Sequence, residues 1–256
     1  MKWTATRQEE VLERGLSKHL HRVRVAHLVR EIEREVAHAG PFLRLLDVGC
    51  GDGVITKRLR AHFAHASITG LDADDVRLAR ARIQCPGAAF EPGDVTALPY
   101  HDASFDVVLC HHVVEHVEND EAVLRECRRV LRPGGLLLLG IPQEDGAIGR
   151  WLRRLHRRLY AEGEHVHFYT IRSMTDALER HGFTGTRVAK FGFLAPQYHL
   201  HVLLTWLRPT FALGHWVTQH VDATADSLIF SARSGTAVSA LEPLSAVRTG
   251  RDSAHQ

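Results

Sequence analysis

The chain has 256 residues, of which 45% are hydrophobic, 24% charged and 7% aromatic, the balance of an ordinary globular protein and not of a collagen-like, disulfide-scaffold or disordered chain. The 32 Lys and Arg against 30 Asp and Glu leave a formal charge of +2, so the overall balance recruits neither nucleic acid nor an anionic membrane. The 19 histidines make that charge climb below neutral pH.

In chain order, residues 9–39 are charged with Val25, Leu28, Val29, Ile32 and Val36 at helical spacing, and Gly40-Pro41 stops the helix. Residues 1–40 are expected as an N-terminal helical cap. The pattern then alternates: strand 43–48, helix 54–63, strand 66–71, helix 75–83, strands 88–91 and 105–110, helix 120–131, strand 136–141. An Arg-rich helix near 147–160, a helix near 172–181, a strand at 183–190, an apolar stretch 197–221 and a strand at 227–232 follow. Strands separated by helices predict an α/β fold: a Rossmann-like, mostly parallel seven-stranded sheet with helices on both faces, its last two strands antiparallel. The catalytic domain is expected over 41–234, with lid and substrate-recognition insertions in 143–222, and residues 235–256 as a loose tail.

Cys50, Cys85, Cys110 and Cys127 form no CxxC pair, which fits a reduced cytoplasm. Glu9, Glu10 and Glu13 stand where a signal peptide needs apolar residues, so no export signal is expected. The strongly apolar run 136–141 falls far short of the roughly 20 residues that span a bilayer.

The chemistry concentrates after the first strand, in Asp47-Val48-Gly49-Cys50-Gly51-Asp52-Gly53, a glycine turn opening into a helix. Glycines let backbone approach a ligand, and the helix aims its free N–H groups at it. A dinucleotide loop reads GxGxxG and stacks a pyrophosphate on the helix end; here the spacing is GxGxG, and Asp47 and Asp52 would oppose a polyanion, favouring a cationic or zwitterionic nucleoside. The plain alternative is a tight strand-to-helix connection. Asp72 ends the second strand, from where a carboxylate reaches ribose hydroxyls; capping of the next helix falls to Asp74 or Asp75. Asp94 offers an acceptor for an adenine amine, with Val95 as an apolar contact.

In this order, "LLDVGCGDG", "GLDAD", "PGDVTALPYHDASFDVVLCHHVVEHVEN" and "RVLRPGGLLLLGIP" resemble the class I S-adenosylmethionine-dependent methyltransferases over about residues 43–142. The stretch "EHVHFYTIRSMTDALERHGF" (164–183) looks like the ubiquinone-biosynthesis-like, small-molecule branch. The resemblance implies S-adenosyl-L-methionine as cofactor, with Asp47, Gly49, Gly51 and Gly53 along its methionine part. It implies Asp72 at the ribose, Asp94 and Val95 at adenine, and His111 beside the cofactor, with Cys50 and Ala73 also among the cofactor-binding residues. It also implies methyl transfer to a small-molecule acceptor, most readily an oxygen nucleophile.

A hydroxyl nucleophile gains by losing its proton as it attacks, and a histidine suits that task; the catalytic candidates are His112, His116 and His165. His112, Glu115 and His116 stand at i, i+3 and i+4 and would share one face of a helix, as metal ligands or as a base with its carboxylate. Ubiquinone-type O-methyltransferases read Glu-x-x-Glu-His here, and His112 replaces the first carboxylate; hard cations prefer oxygen, so no metal is expected. Arg150, Arg153, Arg154, Arg157 and Arg158 share a helix with Trp151, Leu152, Leu155 and Leu159, a solvated lid face or, between Arg150 and Tyr160, a peripheral membrane contact. The competing functions are an RNA or protein methyltransferase and a catalytically inactive cofactor-binding module. The end of the fourth strand, Leu109-Cys110-His111-His112, lacks the Asn/Asp-Pro-Pro-Tyr/Phe sequence of base-amine methyltransferases, and no nucleic-acid partner is expected.

Overall fold

The computed structural model describes residues 15–142, 166–191 and 227–235. Their elements in chain order are α1 (Gly15–Ala39), β1 (Arg44–Val48), α2 (Val54–His62), β2 (Ser67–Asp72), α3 (Asp75–Gln84), β3 (Ala89–Pro92), β4 (Phe105–His111), a 3-10 turn (Val114–His116), α4 (Asp120–Val130), β5 (Leu131–Pro142), α5 (Ile171–Arg180), β6 (Phe183–Phe191) and β7 (Ser227–Ser234). The seven strands form one sheet in the order β3-β2-β1-β4-β5-β7-β6. Strands β1 to β5 pair in parallel, and β7 runs antiparallel to both β5 and β6.

The inner strands are continuous runs of Leu and Val because both faces are covered. Leu46, Val108, Leu137, Leu139 and Phe230 share one core with Val123, Leu124 and Cys127 of α4 and Met174 and Leu178 of α5. Their sequence neighbours Leu45, Val107, Leu109, Leu136, Leu138 and Ile229 face the other way and pack with Leu59 of α2 and with Val25, Leu28, Val29 and Ile32 of α1. At roughly 2 kcal/mol for each large side chain buried, that seam is what holds α1 on the sheet.

The same face of α1 also buries Glu31 and Glu35. Arg132 of β5 donates to Glu35 at 2.6 Å, Arg233 of β7 pairs with the same carboxylate, and Arg187 of β6 donates to Glu31 at 2.5 Å. Desolvation offsets most of the attraction in such pairs, so they fix where α1 lies more than how tightly.

The helices begin where side chains take up the free N–H groups. Asp74 accepts from Val76 and Arg77 at the start of α3, Asn119 from Ala122 at α4, and Thr170 and Ser173 form a reciprocal capping box at α5. Only β5 departs clearly from its expected bounds, starting at Leu131 and not near 136. Pro133 and Gly134 read as a break, yet Leu131 pairs with Phe105 before the register shifts, and Arg132 holds Asp106 at 2.7 Å, which keeps the chain extended.

From β1 the chain steps outward to β2 and β3 and then returns to β4 on the other side of β1. The reversal opens a crevice at the carboxyl ends of β1 and β4, where ligands of open α/β sheets bind.

Candidate active site

Three loops meet at that crevice, and backbone hydrogen bonds tie them together. The Gly49 and Cys50 N–H groups donate to the Leu71 carbonyl at 2.7 and 3.0 Å, and the Gly93 N–H donates to the Asp72 carbonyl at 3.1 Å. Asp72 completes the stitch: Oδ2 accepts from the Gly51 N–H at 2.8 Å and Oδ1 from the Asp74 N–H at 3.0 Å. Each carboxylate oxygen can accept a second donor, so Asp72 retains acceptor positions for a pair of hydroxyls. Capping of α3 belongs to Asp74, one of the two residues to which the sequence assigns it. Ala73, between them, is exposed.

The glycine turn requires glycine. Gly49, Gly51 and Gly53 have φ of 68°, 55° and 75°, a region other residues enter at a cost of about 1–2 kcal/mol. A Cβ at Gly49 would overlap the Val113 side chain, and one at Gly51 the Arg77 guanidinium. Gly53 caps α2 with no side-chain hydrogen bond, so the first N–H groups of α2 carry no capping side chain. Asp52 is buried, 3.5 Å from the Arg80 guanidinium. Cys50 lines the turn half-buried, and burial, reinforced by Asp47 and Asp72, pushes its thiol up, away from reactivity.

Asp47 is the chemically unusual group. It is buried at the end of β1, and the Thr56 hydroxyl, one turn into α2, donates to its Oδ2 at 2.5 Å. Burial pushes the carboxyl up to about 7, the Thr56 hydrogen bond opposes this, and the negative charge of Asp72 adds to it. A site built on two neighbouring carboxylates, one of them reluctant to ionise, gains by receiving a cation and opposes a polyanion. That donor set fits a nucleoside bearing a sulfonium and an ammonium.

Asp94 is exposed, and Oδ1 accepts from both the N–H and the hydroxyl of Thr96, which hold its carboxyl below the usual carboxylate range. Val95 packs against the main core. His111 ends β4 opposite Gly140, where a Cβ would enter the imidazole.

The segment after β4 is not the helix on which His112, Glu115 and His116 would share a face. His112 stands outside any helix with φ 56°, and only Val114–His116 make a single 3-10 turn. The three-membered face therefore reduces to a pair: His112 Nδ1 lies 2.8 Å from Oε1 of the fully buried Glu115, while His116 is exposed. The rings of His111 and His112 meet edge to face, 4.5 Å between centroids. Among the described residues no three His, Cys, Asp or Glu side chains gather as a metal-holding group, and no helix is long and apolar enough to cross a membrane.

Residues 166–170 run along this turn. The Val166 and His167 N–H groups donate to the Glu115 carbonyl at 2.8 and 3.3 Å, His167 Nε2 lies 3.1 Å from the Glu118 carbonyl, and the Tyr169 hydroxyl donates to Asp120 at 2.5 Å. Thr56, Arg77 and Tyr169 escape a reading of the sequence. The first two occupy first helical turns where nothing in their spacing marks them, and the third meets its partner across 49 residues. His165, the Arg-rich 150–160 and the apolar 197–221 lie outside the described residues.

A parallel sheet with a glycine turn and an acid at the next strand end, closed by an antiparallel strand slotted between β5 and β6, defines the class I methyltransferase architecture. Residues 46–139 match a protein-family model described as a methyltransferase domain, which supports a class I S-adenosylmethionine-dependent methyltransferase domain for this part of the chain. It is similar to a malonyl-(acyl-carrier protein) O-methyltransferase of Erwinia pyrifoliae, 41% identical over 110 residues that are 41% of this chain and 40% of that one. It is also similar to a ubiquinone biosynthesis O-methyltransferase of Cereibacter sphaeroides, 36% identical over 117 residues, 43% of this chain and 47% of that one. The chain thus spans less than half the length of the curated relatives it matches. Among solved structures, the YcgJ protein of Bacillus subtilis shares the fold with a TM-score of 0.58 at 18% identity, over 82% of this chain and 99% of that one.

Proposed function

We propose that the chain transfers a methyl group from S-adenosyl-L-methionine to a small-molecule acceptor, at oxygen. The observation that carries the reading is the Asp72 carboxylate, which fastens the glycine turn to the end of β2 at the switch point, beside a second buried acid, Asp47. Bound there, the cofactor supplies an electrophilic methyl on sulfur, and the protein's task is to align a nucleophile and take its proton. Asp47 and the 49–53 turn hold the methionine part, Asp72 and Ala73 the ribose, Asp94 and Val95 the adenine, and His111 flanks the cofactor. Of the three histidines expected as catalytic, His112 is assigned as base because a buried carboxylate holds its ring. The relatives named as O-methyltransferases support oxygen as the acceptor atom. Residues 41–234 form the catalytic domain on this reading, with substrate recognition assigned to insertions within 143–222.

Calorimetric titration with S-adenosylmethionine, S-adenosylhomocysteine and NAD tests it, with the Asp72→Asn variant alongside. The expected result is micromolar binding of the two sulfur nucleosides only, weakened about 10- to 100-fold in the variant, the loss that follows when one or two charge-assisted hydrogen bonds go. A phenol and quinol-precursor screen follows, read by release of S-adenosylhomocysteine. NAD binding in place of the sulfur nucleosides refutes the cofactor assignment, and tight binding without turnover of any acceptor favours an inactive binding module.

A further inference from the structure

We infer that Glu115 is the positioning residue for His112: its side chain fixes the tautomer and orientation of the ring, a role that rests on the reading of His112 as base. Glu115 is fully buried, and its Oε1 is 2.8 Å from His112 Nδ1. Its Oε2 is buried with no hydrogen-bond partner among the described residues, an arrangement that costs about 1–3 kcal/mol wherever it occurs.

The structural task at this position is done by the main chain. The Glu115 carbonyl takes the Val166 and His167 N–H groups, and any residue offers that carbonyl. The side chain is thus free of the docking role, and the hydrogen bond it makes goes to His112.

His112 is bent to meet it. At φ 56° the residue carries about 1–2 kcal/mol of left-handed strain, and its own N–H is held by the Gly140 carbonyl at 2.8 Å. Anchored on β5 and turned this way, the residue brings its ring back over the carboxylate three positions on.

A carboxylate oxygen accepts, so Nδ1 carries the hydrogen and Nε2 keeps its lone pair. As the acceptor oxygen bonds to the methyl carbon, the carbon–sulfur bond breaks with its electron pair left on the sulfur of S-adenosylhomocysteine, the oxygen's hydrogen passes to Nε2, and the positive charge placed on the imidazole faces Glu115. Glu115 touches neither acceptor nor cofactor in this scheme and acts through His112.

The test uses ring-nitrogen NMR of uniformly 15N-labelled full-length protein, with the His112 signal identified by its loss in the His112→Ala variant. Wild-type protein should show the Nδ1–H tautomer at His112, and Glu115→Gln should lose it, because an amide can donate to Nδ1 as readily as accept from it. With a phenol that the wild type methylates, Glu115→Gln should lower kcat about 100-fold, the scale of a general-base contribution, while S-adenosylmethionine affinity stays within about twofold and Glu115→Asp recovers part of the loss. An unchanged tautomer, or kcat and cofactor affinity falling together, overturns the inference. Full turnover by His112→Ala strikes instead at His112 as base, and the ring signal then still decides whether Glu115 orients it.

Discussion

Replacing Asp47 by Asn removes one titration from the folded protein while preserving an acceptor for the Thr56 hydroxyl. Burial lifts this carboxyl from 3.8 to about 7. An acid whose folded pKa lies above its unfolded one holds a proton in the folded chain that the unfolded chain has released. Its stabilising contribution is therefore whole below about pH 4, falls by about 1.4 kcal/mol per pH unit, and is gone above about pH 7, a total of about 4 kcal/mol. Urea unfolding of wild type and Asp47→Asn at pH 5, 6, 7 and 8 isolates it, since the histidines titrate alike in both. The wild type should lose about 2–3 kcal/mol relative to the variant between pH 5 and 7 and almost nothing from 7 to 8. Parallel stability curves would refute the placement of a buried, proton-holding Asp47. The same group ties ligand to proton: a cation settling beside it favours the ionised form. S-adenosylmethionine binding at pH 6.5 should then release a fraction of a proton, seen as buffer-dependent heat in wild type and absent in Asp47→Asn.

Two further substitutions probe the backbone of the site. Gly49→Ala sets a Cβ against Val113 at φ 68°, and should lower stability by about 2–4 kcal/mol from overlap plus left-handed strain. Adding Val113→Ala should relieve the overlap but not the strain, and a double variant as stable as Val113→Ala alone would show that the turn tolerates a side chain. His112→Gly and His112→Ala both delete the imidazole, but only Ala keeps the strain at φ 56°. The Gly variant should therefore be the more stable by about 1 kcal/mol, about 2–4 °C in Tm for a chain of this size. The usual order, with Ala ahead, would contradict the backbone conformation given to His112.

The alternation of strands and helices was legible because buried parallel strands need apolar runs rich in Leu and Val, and β1, β4 and β5 supply them. The glycine turn and Asp72 were legible because backbone conformation and strand-end position demand particular residue types there. Glu31 and Glu35 were not, since a charged residue on an amphipathic helix reads as solvated until Arg132, Arg187 and Arg233 arrive from three distant strands. The grouping of His112, Glu115 and His116 misled for a related reason: their spacing on an assumed helix predicts a shared face, whereas one left-handed residue re-aims the ring and leaves His116 exposed.

The placement of β7 bears on how the chain is made. During synthesis β1 to β5 emerge first and can pair as they come, but the outer edge of β5, with Leu136–Leu139 and Ile141 fully buried in the finished protein, has no neighbour until residues 227–234 arrive. For the time it takes to translate more than 80 residues beyond β5, at ~5–20 residues per second, an apolar strand edge of the kind that recruits other chains stands open. The ribosome, and not the order of the finished sheet, thus sets when this protein is most prone to aggregate, and slowing elongation between β5 and β7 should lower its soluble yield.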